Sequence, residues 1–239
     1  MENVYIMSAT RAAVGSFGGS LKDKSPIELG SIVSKEAIEK SGIKAEDIGH
    51  SVFGNVIHTE PKDMYLSRCI AIDAGVPDSS PALTVNRLCG SGLQATVSAI
   101  QLIQLGDTDT ALAGGSEVMS KGGYLVPAMR WGARLGHSEM TDMLLGALHD
   151  PFGLGHMGIT AENVSKDYQI NREMMDEFSF NSQIRAINAI NKGYFETQIT
   201  PVELTKRKET IVFKTDEHVR SNIKKEDLLK LKPAFDPNG

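Results

Sequence analysis

The chain has 239 residues, of which 41% are apolar and 23% charged, and its net charge is −5. These values are ordinary for a soluble globular protein, and the negative charge argues against nucleic acid as the main partner. The apolar stretches are short and interrupted, and the N-terminus lacks the basic start and long apolar core of an export signal. We therefore expect a cytoplasmic protein that binds neither nucleic acid nor a membrane.

Alternating strand and helix patterns in the first 120 residues predict an α/β layered fold with a mostly parallel sheet. Val4–Ser8 is predicted to be the first strand. Ser25-Pro26-Ile27-Glu28 predicts a helix start, because it combines a serine cap, an early proline and a capping-box glutamate. The next predicted elements are a strand over 51–57, a helix over 63–75, a strand over 83–86, a helix over 90–105 and a strand over 110–113.

The pattern changes after Met119, where Met, Gly and His become dense through about residue 158. Such a stretch is typical of a long functional loop region. Order returns over 160–168 and in a long helix predicted over 171–191. It is followed by short strands over 199–204 and 210–213 and a small helix over 226–231.

Two cysteines, Cys69 and Cys89, are too few for a disulfide framework and wrongly spaced for a paired metal site. Cys89 follows a predicted strand and a tight turn, and an apolar helix begins just after it. The positive end of the helix dipole favours a thiolate there, and Gly90 and Gly92 leave room for a bulky substrate. The pattern suits a nucleophile for acyl transfer, with a buried structural cysteine as the alternative. Cys69 is predicted to belong to the core.

Several segments resemble the thiolase family in the expected order. Residues 86–95, Asn-Arg-Leu-Cys-Gly-Ser-Gly-Leu-Gln-Ala, resemble its nucleophile segment, and residues 11–19 resemble its first loop. Residues 114–120 resemble its Gly-Gly-x-Glu-x-Met-Ser stretch, and residues 156–163 the start of its loop-domain helix. The resemblance implies a thiolase-like layered fold with an N-terminal βαβαβ-type domain over 1–119, which lacks its closing segment. An inserted CoA-binding loop domain would cover 120–239.

A finer resemblance concerns residues 55–68 and 130–134, which are similar to β-ketothiolases associated with polyhydroxyalkanoate precursor synthesis. In thiolases the cysteine that matches Cys89 takes an acyl group from acyl-CoA. Acetyl-CoA, deprotonated at its α-carbon, then attacks this thioester to give a β-ketoacyl-CoA, and thiolysis is the reverse. The resemblance implies CoA thioesters as substrates, with neither a cofactor nor a metal.

CoA contacts are also implied by the resemblance. Leu148, His156 and Met157 match positions that line the pantetheine channel, whereas Arg220 and Phe235 match positions near the adenine nucleotide. Residues 203–232 contain nine basic and six acidic side chains, and a basic excess suits the polyanionic nucleotide end of CoA. The alternatives are a solvated surface for the basic segment and a structural helix-end role for His156.

Other thiolase segments are not present in the 239 residues. These are the Gly-His-Pro segment of the activating histidine, the Cys-x-Gly-Gly-Gly segment of the acid/base cysteine, and Asn-Glu-Ala-Phe. The resemblance therefore implies that the homologous C-terminal domain is absent and that the chain alone does not catalyse condensation. A truncated chain, part of a cleaved protein and the product of an interrupted gene all fit this pattern.

Three functions are compatible with the sequence. The leading hypothesis is an acetyl-CoA C-acetyltransferase for the complete protein. The alternatives are a decarboxylating ketosynthase of the same superfamily and a non-catalytic CoA-binding or assembly fragment derived from a thiolase. The resemblance also implies self-association to a dimer or tetramer, which we expect to form through the sheet around Thr110–Ser116.

Overall fold

The computed structural model of the protein describes residues 3–206 and 209–239. Its α-helices are α1 (Pro26–Ser41), α2 (Leu66–Asp73), α3 (Ser91–Leu105), α4 (Met143–Ala147), α5 (Met157–Asp167), α6 (Arg172–Asn191) and α7 (Lys225–Leu228). Its strands are β1 (Arg11–Ala12), β2 (His50–Gly54), β3 (Ala82–Val85), β4 (Ala111–Gly115), β5 (Tyr124–Leu125), β6 (Thr141–Asp142), β7 (His149–Asp150), β8 (Gly155–His156), β9 (Ile199–Thr200), β10 (Val202–Lys206) and β11 (Glu209–Phe213). Among the helices of these described ranges, none is both long and apolar enough to cross a membrane.

A parallel sheet with the strand order β3-β2-β4 forms the centre of the fold. Val52 of β2 lies opposite Leu83 of β3 on one side and Ala113 of β4 on the other. Each connection between these strands contains a helix, as parallel pairing requires. The predicted α/β class is therefore confirmed.

Helices cover both faces of this sheet. Successive side chains of a strand point to opposite faces, so Val52 and Phe53 pack against different helices. Phe53 belongs to a buried cluster with residues of α1 and α2, whereas Val52 packs with Ala95 and Ala99 of α3. The result is a three-layer arrangement, with α1 and α2 on one face of β2 and α3 on the other.

Helix α1 begins and ends where its sequence predicts. The Ser25 hydroxyl accepts a hydrogen bond from the Glu28 N–H at 3.0 Å, and the Glu28 carboxylate accepts one from the Ser25 N–H at 2.8 Å. This is a complete capping box. Gly42 ends the helix with a left-handed backbone, which costs glycine little. The remaining predicted helices and strands beyond residue 50 are present, and their ends are shifted by a few residues.

The strand predicted over Val4–Ser8 is wrong. Residues 3–10 have no regular secondary structure, and the first strand is β1, which pairs in parallel with β9. The segment is held by side chains instead: the Ser8 hydroxyl donates to the Ala37 carbonyl at 2.6 Å, and the Thr10 hydroxyl donates to the Val33 carbonyl at 2.9 Å. The apolar pattern suits a strand, but a strand also needs a hydrogen-bonded neighbour, which the described residues do not supply here.

The chain forms two compact units. The first consists of Met1–Leu144 and Gln198–Glu217, and the second of Leu145–Thr197 and His218–Gly239. The first unit contains the parallel sheet with its helices and the β10–β11 hairpin. The second contains the β7–β8 hairpin and helices α5, α6 and α7. The functional division into 1–119 and 120–239 stays a prediction.

Candidate active site

Cys89 lies in a tight turn between the end of β3 and the start of α3. Leu88, which precedes it, has a left-handed backbone with φ 46°, a conformation that few non-glycine residues adopt. The Asn86 side-chain oxygen accepts from the Leu88 N–H at 2.9 Å, and the Ser91 hydroxyl donates to the Leu88 carbonyl at 2.6 Å. The Ser91 oxygen also accepts from the Arg87 N–H at 2.9 Å. Side chains on both sides of Cys89 thus fix its turn.

The backbone of the turn is bonded to itself as well. The N–H groups of Gly90 and Ser91 donate to the carbonyls of Arg87 and Leu88, each at 3.0 Å. These two N–H groups are therefore engaged within the turn. Cys89 lies two residues before the first residue of α3, at the end of a helix where the dipole favours negative charge.

Two strand-end glycines allow the turn and the first residues of α3 to lie close to the sheet. A Cβ atom on Gly54 would stand 2.6 Å from the Ser91 carbonyl carbon, and one on Gly115 would stand 3.3 Å from the Gly92 Cα. Any side chain at Gly54 would therefore displace the start of α3. Gly92 itself faces open space, with no atom within 4 Å of its ideal Cβ position. A Cβ on Gly90 would lie 3.4 Å from the Arg87 carbonyl oxygen, and the room for a bulky substrate beside Cys89 stays a prediction.

The two thiols differ in environment. Cys89 is exposed, so the alternative that it is a buried structural cysteine is wrong. Cys69 is half-buried and packs against the cluster around Phe53, as predicted for a core residue. Burial raises the pKa of the Cys69 thiol, and the negative charge of Asp73 acts in the same direction. Because the thiolate is the reactive form, Cys89 is the better candidate for a nucleophile.

In the second unit, four of the five residues assigned to CoA lie together. Strand β7 pairs with β8, and the Met157 N–H donates to the Leu148 carbonyl at 2.8 Å. The rings of His156 and Phe235 are stacked, with centroids 4.9 Å apart and planes inclined by 20°. Phe235 also covers Gly158, where an added Cβ would lie 2.3 Å from the ring. The arrangement presents an aromatic and apolar surface at the start of α5.

His156 also has a structural role, as one alternative predicted. It is the N-cap of α5, and its Nδ1 atom accepts a hydrogen bond from the Gly158 N–H at 3.0 Å. A neutral His156 with this bond carries its proton on Nε2. The hydrogen bond fixes the orientation of the His156 ring, and the Nε2–H group is then the hydrogen-bond donor of the ring.

Arg220 is placed differently from the other four residues. It is exposed, and its backbone N–H donates to the Gln183 side-chain oxygen at 2.9 Å. Other basic residues of this segment pair with acids: Lys225 with Glu177, and Lys230 with Asp227 at 3.1 Å. Those two lysines fit the solvated-surface alternative. Lys206, Arg207 and Lys208 fall outside what the structure describes, either wholly or in their side chains.

Sequence and structure comparisons agree with this architecture. A family model described as "Thiolase, N-terminal domain" matches residues 4–239. The chain belongs to the thiolase family. Its relatives include Beta-ketothiolase BktB of Cupriavidus necator, which is 56% identical over 97% of this chain and 59% of the relative. An acetyl-CoA acetyltransferase of Syntrophomonas wolfei is 44% identical over 99% of this chain and 60% of the relative.

Solved thiolase structures are similar over the same extent. The Bacillus anthracis acetyl-CoA acetyltransferase superposes with a TM-score of 0.95 at 40% identity, over 100% of this chain and 60% of the other. Human mitochondrial 3-ketoacyl-CoA thiolase in complex with CoA superposes with a TM-score of 0.93 at 35% identity, and the match covers 98% of this chain and 59% of the human chain. This confirms the predicted thiolase-like fold. The chain spans about three-fifths of the length of the thiolases that it matches.

One feature of this thiolase chain was not assigned a role from its sequence. The Glu117 carboxylate accepts hydrogen bonds from the Asn55 side chain at 2.7 Å and from the N–H groups of Val56 and Ile57 at 2.9 and 3.1 Å. Burial of the carboxylate raises its pKa, although other parts of the Glu117 residue are exposed. The contact joins the segments that follow β2 and β4. The available signal was a glutamate two positions after the Gly114-Gly115 end of β4.

Proposed function

We propose that Cys89 is the acyl-carrying nucleophile of an acetyl-CoA C-acetyltransferase that uses CoA thioesters and neither a metal nor a further cofactor. The supporting observation is an exposed thiol, held on a fixed turn at the N-terminus of α3, in a chain of the thiolase family. Acyl transfer through cysteine needs an accessible sulfur with a defined direction of attack. Cys69, half-buried in the core, does not meet this requirement.

The chemistry proceeds in two transfers. The Cys89 thiolate attacks the carbonyl carbon of an acyl-CoA, a C–S bond forms, and the CoA thiolate leaves and takes up a proton. An acetyl-CoA that has lost an α-proton then attacks the Cys89 thioester, which forms a C–C bond and releases the cysteine sulfur. The product is acetoacetyl-CoA or another β-ketoacyl-CoA, and thiolysis reverses both transfers. The groups that move the protons are not assigned to residues of this chain.

We further propose that the second unit binds CoA. Leu148, Met157 and the stacked His156–Phe235 pair offer an apolar and aromatic surface for the pantetheine arm and adenine. Arg220 supplies an exposed cation for the phosphates of the nucleotide. The human relative whose structure contains CoA supports CoA as the ligand.

Further parts of the proposal concern the whole protein. We place it in the cytoplasm as a dimer or tetramer. The 56% identity to a beta-ketothiolase supports a β-ketoacyl-CoA as the product of condensation and the substrate of thiolysis.

The proposal can be tested in a chimera that replaces the matched stretch of the Cupriavidus necator beta-ketothiolase with this chain. We expect acetoacetyl-CoA thiolysis by the chimera, its loss in Cys89→Ala, and its retention in the matched control Cys69→Ala. The 239-residue chain alone is the reference arm, for which we expect no condensation. A chimera that keeps its activity in Cys89→Ala would contradict the proposal. Activity of the chain alone would contradict only the expectation that it does not catalyse condensation.

A further inference from the structure

The β7–β8 hairpin of the second unit places two imidazole rings side by side. His149 and His156 lie directly opposite each other in this antiparallel pair, so their side chains project from the same face. The ring centroids are 5.2 Å apart and the ring planes are inclined by 87°, which is an edge-to-face contact. The Asp150 carboxylate accepts from the N–H groups of Phe152 and Leu154 at 2.8 and 3.0 Å. These bonds hold the loop of the hairpin that carries both rings.

The His149 ring is anchored to the helix that precedes the hairpin. Its Nδ1 atom lies 2.9 Å from the Leu145 carbonyl oxygen, in the last turn of α4. A carbonyl oxygen only accepts hydrogen bonds, so Nδ1 carries the proton, and in the neutral ring Nε2 carries none. Histidine side chains commonly bond the last carbonyls of a helix. The ring therefore has a defined position although the residue is exposed.

The His156 ring is restrained by three neighbours in different ways. The hydrogen bond from the Gly158 N–H fixes which edge of the ring faces α5, but the ring can still tilt about the line of this bond. The stacked Phe235 ring limits that tilt from one side. Phe235 is itself 47% exposed, and residues 229–239, all of which the structure describes, contain no helix or strand. The perpendicular His149 ring, which the hairpin and α4 hold, limits the tilt from another side.

We propose that His149 is a positioning residue of the CoA site, whose ring holds the His156 imidazole in the tilt at which it stacks on Phe235. This inference rests on the proposed binding of CoA by the second unit. His149 acts through His156 and is not itself assigned a contact with CoA. The two rings do not compete for partners, because the Leu145 carbonyl engages Nδ1–H of His149 while the Gly158 N–H engages Nδ1 of His156.

A purely structural role for His149, the capping of α4, makes different demands on the side chain. Capping needs only the donor to the Leu145 carbonyl, whereas positioning needs the aromatic ring. Two substitutions separate these roles. His149→Asn keeps a side-chain N–H donor and removes the ring, and His149→Phe keeps a ring and removes the donor. Positioning therefore predicts that the phenylalanine variant, and not the asparagine variant, behaves like wild type.

Titration calorimetry of the 239-residue chain with CoA measures the first consequence. We expect CoA to bind about fivefold more weakly to His149→Asn and within about twofold of wild type to His149→Phe, since an edge-to-face aromatic pair contributes on this scale. His137→Asn is the matched control, because His137 is exposed and belongs to the first unit. It should leave the affinity unchanged.

Nuclear magnetic resonance of the chain without CoA measures the second consequence. Nuclear Overhauser effects between the ring protons of His156 and Phe235 report their stacking. We expect these effects in wild type and His149→Phe, and their weakening in His149→Asn. At about pH 8, where neutral imidazole prevails, nitrogen chemical shifts should place the proton on Nδ1 of His149 and on Nε2 of His156. A loss of overall stability that leaves the chain folded does not change these signals.

Three results would overturn the inference. They are unchanged CoA affinity in His149→Asn, equal losses of affinity in both variants with the His156–Phe235 contact preserved, and a wild-type His156 protonated on Nδ1. The last result is decisive even if His149→Asn does not fold. Absence of CoA binding by wild type would refute the proposed CoA site and this inference together. Binding that Phe235→Ala weakens and His149→Asn does not would leave the CoA site standing without a role for His149.

Discussion

The Ser91 hydroxyl and the Leu88 carbonyl oxygen are 2.6 Å apart, and their hydrogen bond closes the turn that carries Cys89. The same Ser91 oxygen accepts from the Arg87 N–H, so one buried side chain satisfies two backbone groups across four residues. Leu88 is thereby kept in its left-handed conformation. The direction of the Cys89 side chain depends on a residue two positions later in the chain.

Replacement of Ser91 by alanine is expected to lower the free energy of unfolding by about 1–2 kcal/mol. The Arg87 N–H loses its acceptor, and the Leu88 carbonyl keeps only the bond from the Ser91 N–H. Urea unfolding of wild type and variant measures the difference. Ser79→Ala is the control, because Ser79 is exposed, and it should change stability by less than about 0.5 kcal/mol. Equal stability of the two variants would show that the hydroxyl does not hold the turn.

Replacement of Asp216 by asparagine is expected to lower stability in a pH-dependent way. Hydrogen bonds from the Arg11 guanidinium, at 2.7 and 2.9 Å, lower the pKa of the Asp216 carboxyl below its usual value. Its contribution is therefore present above the unfolded pKa of about 3.9 and is lost as the pH falls through the folded pKa. We expect the free energy of unfolding of wild type to exceed that of Asp216→Asn by about 1–2 kcal/mol at pH 7, and this difference to disappear in acid.

Thermal unfolding from pH 7 down to pH 3 measures this difference for Asp216→Asn. The matched control is Glu46→Gln, since the Lys44–Glu46 pair is well exposed and should contribute almost nothing. If the difference in stability between wild type and Asp216→Asn stayed constant across this pH range, the ion pair could not be its source.

Replacement of Phe235 by alanine is expected to weaken CoA binding about tenfold. The variant removes the ring that stacks on His156 and covers Gly158. Titration calorimetry with CoA measures the affinity, and Phe178→Ala, an exposed aromatic on α6, is the control. Equal CoA affinities of Phe235→Ala and wild type would show that Phe235 does not contribute to CoA binding.

Features set by neighbouring residues could be predicted from the sequence. The capping box of Ser25 and Glu28 and the strand–turn–helix around Cys89 depend on contacts within a few residues, and both are present. The resemblance to thiolases predicted the fold, and it singled out the residues that lie together around His156. Its assignment of individual CoA contacts stays a prediction.

Features that depend on distant segments could not be predicted in this way. Val4–Ser8 has the composition of a strand, but pairing depends on a neighbour that the local pattern does not reveal. The Arg11–Asp216 pair joins residues 205 positions apart, and Gly54 is required by the close approach of Ser91. The hydrogen bond from the Val56 N–H to the Glu117 carboxylate likewise could be recognised only once the strand order was known.

The most direct test of Cys89 as the reactive nucleophile is a competition between the two thiols of the folded chain. Limited iodoacetamide labelling near neutral pH, followed by peptide mass spectrometry, gives both alkylation rates in one sample. We expect Cys89 to react at least about tenfold faster, because it is exposed at a helix N-terminus while burial and Asp73 raise the pKa of Cys69. Equal rates, or faster labelling of Cys69, would contradict the assignment of Cys89 as the acyl carrier.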